Sequence, residues 1–533
     1  MHGTPKARRT LLRLAGLGAA AGLIPAACGS DGDSGRSPAP GGATRRATYR
    51  PEFHLSVPQE WMNDPQRPLY LDGRYLHYYL YNGDYRDDGN GTEWRLATTR
   101  DGVVFHDEGV AVPKFTNGNG DVWSGSAVVD THGTAGFGEG AVVALVTQQD
   151  HRRKNPEHQQ AQFLWYSADG GRTFRPYGDE PVLPNPGAAD FRDPKVVRDE
   201  ERGRWVMLLA EGEKIGLYVS GDLRGWRYVS GFVRHGIGLL ECPDLFRLRA
   251  SDGRTRWVLG AGANGRAAGL PHTYAYWTGD FDGETFHPDG DEPQWLDHGF
   301  DWYAAVTWEK HGEDGSVDPE VRRAQAWMNN WEYPDATPTT GADGFNGAMS
   351  VVREVTLQRR ESGEYALLSR PVPALDAHAS RTRRFGTRAV DGERELPFTG
   401  QAYDLRTELA LDGSVTNAGL RLRTSGDGTR HLDVGVHGDY AYVSRADTRS
   451  PAGKPGAAEK KDSLESRTPV DPAARRVRLR VLVDRTSVEL FVDDGRFVHT
   501  HAVFPEPGDT GVTLFAEGGR AHFGDMEIRT FGT

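Results

Sequence analysis

The sequence is poor in cysteines, in basic clusters and in metal-binding patterns. Cys28 and Cys242 are the only cysteines among 533 residues, which excludes a disulfide framework. The formal net charge is -12, from 63 Lys+Arg against 75 Asp+Glu, with no basic block, so we expect no nucleic-acid partner. The 18 histidines show no metal-binding spacing, so we expect neither a metal nor another cofactor.

Glycine, proline and aromatic residues are abundant. The chain contains 67 Gly and 31 Pro, and 10% of its residues are aromatic. This composition is typical of many short strands joined by turns, and it disfavours long helices. The length predicts two or three domains with ample buried core.

Residues 1–30 predict an export signal. Arg8 and Arg9 precede the apolar run Leu14–Ala27, which resembles a twin-arginine signal. The run is shorter than the roughly 20 residues that a membrane-spanning helix needs. Residues 31–48 are rich in Gly, Ser, Pro and Asp and predict a flexible linker. We therefore expect an exported protein.

Cys28 is a candidate for lipidation. It follows Ala26-Ala27, as in a bacterial lipoprotein cleavage site, although Pro25 stands where such sites usually carry leucine. The alternative is ordinary cleavage nearby and free secretion. We expect the protein to be extracellular or anchored to the cell surface, and to contact a membrane only through this lipid anchor. We also expect a monomer.

A weak repeat runs through residues 49–375. Thr99, Ser167, Ser220 and Thr278 each precede an Asp-containing turn and then an aromatic residue, at spacings of 68, 53 and 58 residues. Periods of this size indicate a radial repeat with about one four-stranded blade per unit. The segment has room for five blades of about 65 residues each, so it predicts a five-bladed β-propeller.

Residues 376–533 lose this repeat but remain rich in strand patterns. Val477, Leu479, Val481 and Val483 fall on one face, with Arg478 and Arg480 between the first three, as in a half-buried strand. A strand-only segment of this length predicts a β-sandwich, and the whole chain is therefore all-β.

Three acidic residues stand in unusual surroundings. Asp64 lies in Trp61-Met62-Asn63-Asp64-Pro65, Asp193 in Arg192-Asp193-Pro194, and Glu241 in Glu241-Cys242. Singly, they read as a turn, a structural ion pair and a strand end. Together, in an exported chain rich in Trp and Tyr, they favour glycoside hydrolysis, which needs one attacking carboxylate and one protonating carboxylic acid.

The neighbours in sequence suggest how the three acids divide these roles. We expect Asp64 to be ionised beside an amide, and Asp193 to be ionised by Arg192. Glu241 stands next to apolar residues and a thiol, which favours a raised pKa and the role of acid.

These motifs resemble glycoside hydrolase family 32, the β-fructofuranosidases. Four further segments agree in order: Trp123-Ser124-Gly125-Ser126, Asp301-Trp302-Tyr303-Ala304, Trp327-Met328-Asn329-Asn330-Trp331 and Ser487-Val488-Glu489-Leu490-Phe491-Val492. The resemblance implies a five-bladed propeller followed by a β-sandwich. It also implies a retaining double displacement with Asp64 as nucleophile, Asp193 as transition-state stabiliser and Glu241 as general acid/base.

Further residues are candidates for contact with the sugar. They are Trp61, Asn63, Gln66, Trp123, Ser124, Arg192, Cys242, Trp302, Tyr303 and Trp327. Any one of Trp123, Trp302 and Trp327 is equally compatible with a blade core. Cys242 is expected to be a packing neighbour of Glu241 rather than a nucleophile, because its motif contains no histidine.

Two departures from the family pattern bear on the substrate. Gln66-Arg67 stands where the family usually has Asn-Gly, and Leu80 replaces its usual Gln. The chain is similar to actinobacterial levanases and levan fructotransferases, so β-2,6-linked levan is the favoured substrate. The alternatives are intramolecular transfer to a difructose dianhydride and, less favoured, an inulinase, an invertase or a non-catalytic fructan-binding protein.

Overall fold

The computed structural model describes residues 48–532 except 88, 90, 119, 150–157, 454–462, 472 and 474. The predicted export signal, Cys28 and nearly all of the predicted linker lie outside these residues. No helix in the described part of the chain has the length and apolar character needed to cross a membrane.

Five sheets form the blades of a propeller. Blade I contains β1 (Glu60–Pro65), β2 (Leu69–Leu71), β3 (Arg74–Asn82), β4 (Glu93–Thr99) and β5 (His106–Val112). Blade II contains β6 (Asp121–Asp130), β7 (Ala141–Gln149), β8 (Gln159–Ser167) and β9 (Arg175–Pro176). Blade III contains β10 (Arg192–Asp199), β11 (Arg204–Glu211), β12 (Lys214–Ser220) and β13 (Arg227–Val233).

Blade IV contains β14 (Leu240–Arg249), β15 (Thr255–Asn264), β16 (His272–Phe281), β17 (Phe286–Pro288) and β18 (Gln294–Trp295). Blade V contains β19 (Tyr303–His311), β20 (Val317–Trp327), β22 (Arg353–Arg359) and β23 (Tyr365–Pro371). Within blade V, a loop carries the short helix α1 (Thr339–Asp343) and the strand β21 (Phe345–Asn346). Strand β21 pairs in parallel with β1, which joins the last blade to the first and closes the ring.

The predicted repeat corresponds to one recurring turn. Thr99, Ser167, Ser220 and Thr278 lie at or near the end of the third long strand of blades I to IV, before the turn into the outermost strand. In blade III, for example, Asp222 Oδ1 accepts backbone N–H groups of Arg224 and Gly225. Such Asx turns recur because each blade needs the same reversal at the same place.

The C-terminal region is a ten-stranded antiparallel sheet that folds around one hydrophobic core. Its strands are β24 (Arg381–Thr399), β25 (Tyr403–Leu411), β26 (Asn417–Thr424), β27 (Leu432–His437), β28 (Tyr440–Ser444), β29 (Glu465–Pro469), β30 (Arg476–Val483), β31 (Ser487–Val492), β32 (Phe497–Ala502) and β33 (Gly511–Thr530). Helix α2 (Ala374–Ala377) precedes them. The alternating valines and leucine predicted on β30 are all buried in this core. The fold prediction, an all-β propeller followed by a β-sandwich, is confirmed.

A buried charge cluster connects the two regions. Arg353 of β22 donates to Asp297 at 2.9 Å and to Glu489 of β31 at 2.5 Å. His54 bridges Asp484 and Glu489, with ring-nitrogen distances of 2.8 and 2.9 Å. All five side chains have no exposed surface, so the contact between propeller and sandwich contains ion pairs as well as apolar packing.

Candidate active site

The innermost strand of every blade carries a β-bulge at an equivalent position. The ladder register shifts at Asn63/Pro65 in β1, Val122/Gly125 in β6, Arg192/Lys195 in β10, Glu241/Asp244 in β14 and Tyr303/Val306 in β19. A bulge adds one residue to a strand and redirects its side chains. Asp64, Ser124, Asp193, Glu241 and Tyr303 all lie at these bulges and meet near the propeller axis.

Three bulges hold a non-glycine residue in left-handed backbone. Asp193, Cys242 and Ala304 have φ of 62°, 47° and 51°. Each follows the first residue of its bulge, and such conformations cost roughly 1–3 kcal/mol each. At the bulge of β6, a Cβ on Gly125 would approach the Leu145 carbonyl oxygen to 2.1 Å, so only glycine fits there. Strained backbone therefore occurs at three of the five bulges that carry the site.

Asp64 lies in a dense hydrogen-bond network on β1. Its Oδ2 accepts from Ser124 Oγ at 2.9 Å, and its Oδ1 accepts from Asn63 Nδ2 at 3.1 Å. Trp61 Nε1 donates to Asn63 Oδ1 at 2.9 Å and thereby fixes the amide. The side chain of Asp64 is held in one orientation from two sides.

Gln66 makes hydrogen bonds to the backbone and side chains around Asp64 and Ser124. Its Nε2 donates to the Asp64 carbonyl at 3.0 Å and to Ser124 Oγ at 3.3 Å, while its Oε1 accepts from Gly125 N at 2.8 Å. The side chain is buried and its amide groups are satisfied by the protein. Gln66 therefore connects the bulges of β1 and β6, and a direct contact of Gln66 with substrate stays a prediction.

Arg192 pairs mainly with Glu241. Its Nη2 lies 2.7 Å from Glu241 Oε1 and its Nη1 lies 2.6 Å from Asp190 Oδ1, whereas Asp193 Oδ2 is 4.0 Å from Nε. Tyr303 OH donates to the other oxygen of Glu241 at 2.6 Å. Glu241 therefore lies among polar groups, unlike the apolar surroundings expected from its neighbours in sequence.

Asp193 is bound to the strand that carries Glu241. Its Oδ2 accepts from Cys242 N at 3.0 Å, and Cys242 Sγ lies 3.7 Å from the same oxygen and 4.0 Å from Asp64 Oδ2. The backbone N–H of Asp193 donates to Thr147 Oγ1 at 2.9 Å. Cys242 thus lies between the two aspartates, and burial together with their charges raises the pKa of its thiol well above the usual value.

Burial and mutual repulsion favour protonation of the two aspartates. Burial, followed by the charges of Asp193 and Glu241, raises the pKa of Asp64 to about 7, against the opposing hydrogen bond from Ser124. Burial raises the pKa of Asp193 to about 6, although the Arg192 cation opposes this. Both pKa values are therefore raised rather than lowered in the substrate-free site, because Asp64, Asp193 and Glu241 lie close together and Arg192 offsets only part of their repulsion.

The tryptophans divide between pocket and core. Trp302 is fully buried in the core formed by blades IV and V, donates to Ser350 Oγ at 3.0 Å and has Arg353 over its ring. Trp327 is also fully buried, and its ring centroid lies 5.9 Å from that of Trp61. Both rings thus lie in the position that the sequence left open as the alternative to sugar contact, a blade core, because neither ring has an exposed face. Trp123 is partly exposed and donates to Asp121 at 2.8 Å.

Two aromatic residues near Trp61 and Trp327 were not among the residues predicted from the sequence. Trp331 is 47% exposed, and its ring centroid lies 5.0 Å from that of the buried Trp327. Tyr85 packs on Trp61 at 5.0 Å and donates to Asp335 at 2.6 Å. Trp331 ends the Trp327-Met328-Asn329-Asn330-Trp331 segment, but the sequence does not show that its side chain is exposed. Tyr85 lies in an ordinary polar loop and carries no local signal.

Two domain profiles match the chain in the order of its two regions. The "Glycosyl hydrolases family 32 N-terminal domain" matches residues 54–371, and the "Glycosyl hydrolases family 32 C terminal" domain matches residues 374–530. The chain belongs to glycoside hydrolase family 32. It is therefore an enzyme of the β-fructofuranosidase type.

Characterised relatives support the same assignment for this family 32 enzyme. It is 49% identical over 491 residues to the "Levanbiose-producing levanase" of Bacillus subtilis (strain 168), covering 91% of this chain and 92% of the relative. It is 51% identical over 391 residues to the protein of the same name from Geobacillus stearothermophilus, covering 73% and 96%. The crystal structure of exo-inulinase from Aspergillus awamori superposes with a TM-score of 0.79 at 26% identity, covering 92% of this chain and all of that one.

Proposed function

We propose that this enzyme hydrolyses the β-2,6 fructosyl linkages of levan. The support comes from the two levanases that are about half identical to this chain along most of their own length. The site adds the chemistry, since Asp64 and Glu241 supply the two carboxyl groups that glycoside hydrolysis needs. Release of two-unit products is part of the proposal, since both relatives are named for producing levanbiose.

The geometry is consistent with a different catalytic role for each of the three acids. Asp64 has both oxygens fixed by Ser124 and Asn63, which orients a carboxylate for attack on the anomeric carbon. Glu241 is the less enclosed acid and donates a proton to the departing oxygen, and it then activates water as a base. Asp193, held by the Cys242 N–H, stabilises the positive charge that develops on the sugar.

Tyr303 and Arg192 prepare Glu241 for these two roles. Tyr303 OH and the Arg192 guanidinium bind different oxygens of the carboxyl group. Glu241 must exchange one of these contacts for the glycosidic oxygen when it acts as acid. Attack by Asp64 followed by attack of water retains the configuration, because the fructosyl group is displaced twice.

Hydrolysis is favoured over intramolecular transfer to a dianhydride. Both half-identical relatives are named as levanases. The two reactions share the covalent fructosyl-enzyme and differ in whether water or a hydroxyl of the same chain reaches it.

The product profile tests the proposal. Purified enzyme is incubated with levan, inulin and sucrose, and the products are separated and analysed by NMR as they form. We expect difructose from levan with the anomeric configuration retained. A non-reducing dianhydride would identify a transferase, and cleavage of inulin or sucrose with levan untouched would overturn the substrate assignment while leaving the family intact.

Export and lipid anchoring at Cys28 complete the proposal. The twin-arginine pattern supports export, and a relative that is 31% identical is named an extracellular exo-inulinase. Metabolic labelling with a fatty acid, followed by cell fractionation of wild type and Cys28→Ala, tests the anchor. We expect label only on the wild type and release of the variant into the medium; equal release of both would argue for free secretion. The monomeric state stays a prediction.

A further inference from the structure

Beneath the catalytic acids, three of the five bulges are connected by buried polar contacts. Lys195 is the first ladder-paired residue after the bulge of β10, and Asp244 is the first after the bulge of β14. Lys195 Nζ lies 2.9 Å from Asp244 Oδ1. The pair therefore joins the strand that carries Asp193 to the strand that carries Glu241.

The third strand enters the same contact through Thr307. Asp244 Oδ2 accepts from Thr307 Oγ1 at 2.6 Å and from Thr307 N at 3.1 Å. Lys195 Nζ donates to the Thr307 carbonyl at 3.3 Å. Thr307 follows the bulge of β19, four residues after Tyr303, whose hydroxyl contacts Glu241. The strands of Asp193, Glu241 and Tyr303 thus converge on one ion pair.

This pair lies directly under the site. Asp193 and Cys242 line the same small cavity as Lys195 and Asp244. A bulge interrupts the ladder hydrogen bonds that otherwise fix neighbouring strands. The separation of the acids therefore depends on contacts made beside the bulges.

The energetics argue that the pair does more than stabilise the fold. The side chains of Lys195 and Asp244 are 5% and 1% exposed. Burying two charges costs several kcal/mol per ion, and well-packed neutral replacements of buried pairs are often as stable or more stable. Burial also lowers the pKa of Lys195 to about 8, so the ammonium is held at a cost.

We propose that Lys195 and Asp244 are positioning residues that set the separation between Asp193 and Glu241. Neither residue is placed against the sugar. They act through the backbone of the bulges, which holds the two acids. The inference rests on the proposed roles of Asp193 and Glu241.

The neutral double variant Lys195→Met/Asp244→Asn distinguishes an effect on the position of the catalytic acids from an effect on the stability of the fold. It removes one cation and one anion together, Arg322 beside the pair keeps its contact with Glu309 at 3.2 Å, and the Asn carbonyl still accepts from Thr307. We expect a Tm close to that of the wild type. A displacement of about 1 Å in catalytic groups costs on the order of 100-fold. We therefore expect kcat to fall about 10- to 100-fold with KM changed less than about threefold, because ground-state binding is retained.

A matched control removes a buried pair elsewhere. Arg353→Met/Asp297→Asn neutralises a pair in the contact between propeller and sandwich and leaves the His54–Glu489 contact in place. We expect its kcat to stay within about twofold of the wild type, whatever happens to Tm. Kinetics are measured well below the Tm of each variant, on whichever of levan, inulin or sucrose the wild type cleaves. A failed substrate assignment therefore does not affect the result.

A kcat of Lys195→Met/Asp244→Asn within about twofold of the wild type would overturn the proposal. If this variant does not fold, Lys195→Arg decides, because it keeps the charge while moving it. We expect a folded Lys195→Arg protein with reduced kcat and unchanged KM, and an unchanged kcat would overturn the proposal. Separately, full activity of Glu241→Gln would show that the proposed catalytic roles themselves are wrong.

Discussion

Two buried charge clusters in this enzyme differ in how closely their carboxylates are paired with cations. In the active site, Arg192 binds Asp190 and Glu241 and lies 4.0 Å from Asp193. Asp64 contacts no cation among the described residues, and its pKa rises to about 7. Between propeller and sandwich, Glu489 contacts both Arg353 and His54, and its pKa falls to about 2 against the burial that opposes this. Both carboxyl groups are buried, so the difference comes from the number of cations within reach.

The comparison shows what each cluster is suited to do. A cluster with paired charges holds two regions together and resists loss of either partner. A cluster with excess negative charge is unfavourable in the empty protein and becomes favourable when a positive charge develops in the substrate. Stability is therefore reduced at the site and supplied by the rest of the fold.

The largest expected effect comes from Asp64→Asn, which should separate activity from stability. Losing the nucleophile should lower kcat on the order of 10⁴- to 10⁶-fold. A raised folded-state pKa destabilises the protein as pH rises through it, so at pH 8 the amide should increase the free energy of unfolding by about 1–3 kcal/mol. Kinetics and urea unfolding at pH 8 test both. A variant less stable than the wild type would contradict the charge-excess argument.

Arg353→Met should lower the free energy of unfolding and leave activity nearly unchanged, the reverse of Asp64→Asn. It leaves Asp297 and Glu489 with one cation fewer, and breaking a buried pair in this way costs about 3–5 kcal/mol. Urea unfolding should show this loss, while kcat of the folded protein stays near the wild-type value because Arg353 lies outside the site. A large fall in kcat at full folding would indicate that the two clusters are coupled.

The stability of the interface cluster should decrease at alkaline pH through His54. The hydrogen bonds and charges of Asp484 and Glu489 raise its pKa to about 9 against burial, so the protonated form is favoured in the folded state. Its contribution is fully present below pH 6.5, declines as pH rises to 9 and amounts to at most roughly 3 kcal/mol. Unfolding of wild type and His54→Gln across this range measures it. Equal slopes for both proteins would exclude His54 as the source.

Ser124→Ala should have the smallest effect on activity, and it tests whether the pKa of Asp64 controls the pH profile. The Ser124 hydroxyl donates to Asp64 and lowers its pKa. Activity needs ionised Asp64, so kcat/KM should fall as pH drops below about 7, and this acid limb should move to higher pH by up to about 1 unit in the variant. The pH profile of kcat/KM tests this. An unmoved limb would assign that titration to another group.

Local patterns determined much of this protein from sequence alone. The Asx turns that recur at Thr99, Ser167 and Ser220 marked the blades, and the alternation along β30 marked the sandwich, because turns and strand periodicity depend on residues close in the chain. The three acids were recognisable because each stands in a short motif.

Contacts across blades were decided only by the tertiary structure. Arg192 binds Glu241, 49 residues away, more closely than its neighbour Asp193, and Gln66 donates to Ser124. The alignment of five bulges at one level, the burial of Trp302 and the cluster around Arg353 likewise arise between segments far apart in sequence. The balance of charge that raises the pKa of Asp64 and lowers that of Glu489 is a property of these long-range neighbours, because electrostatic interactions depend on distance in space.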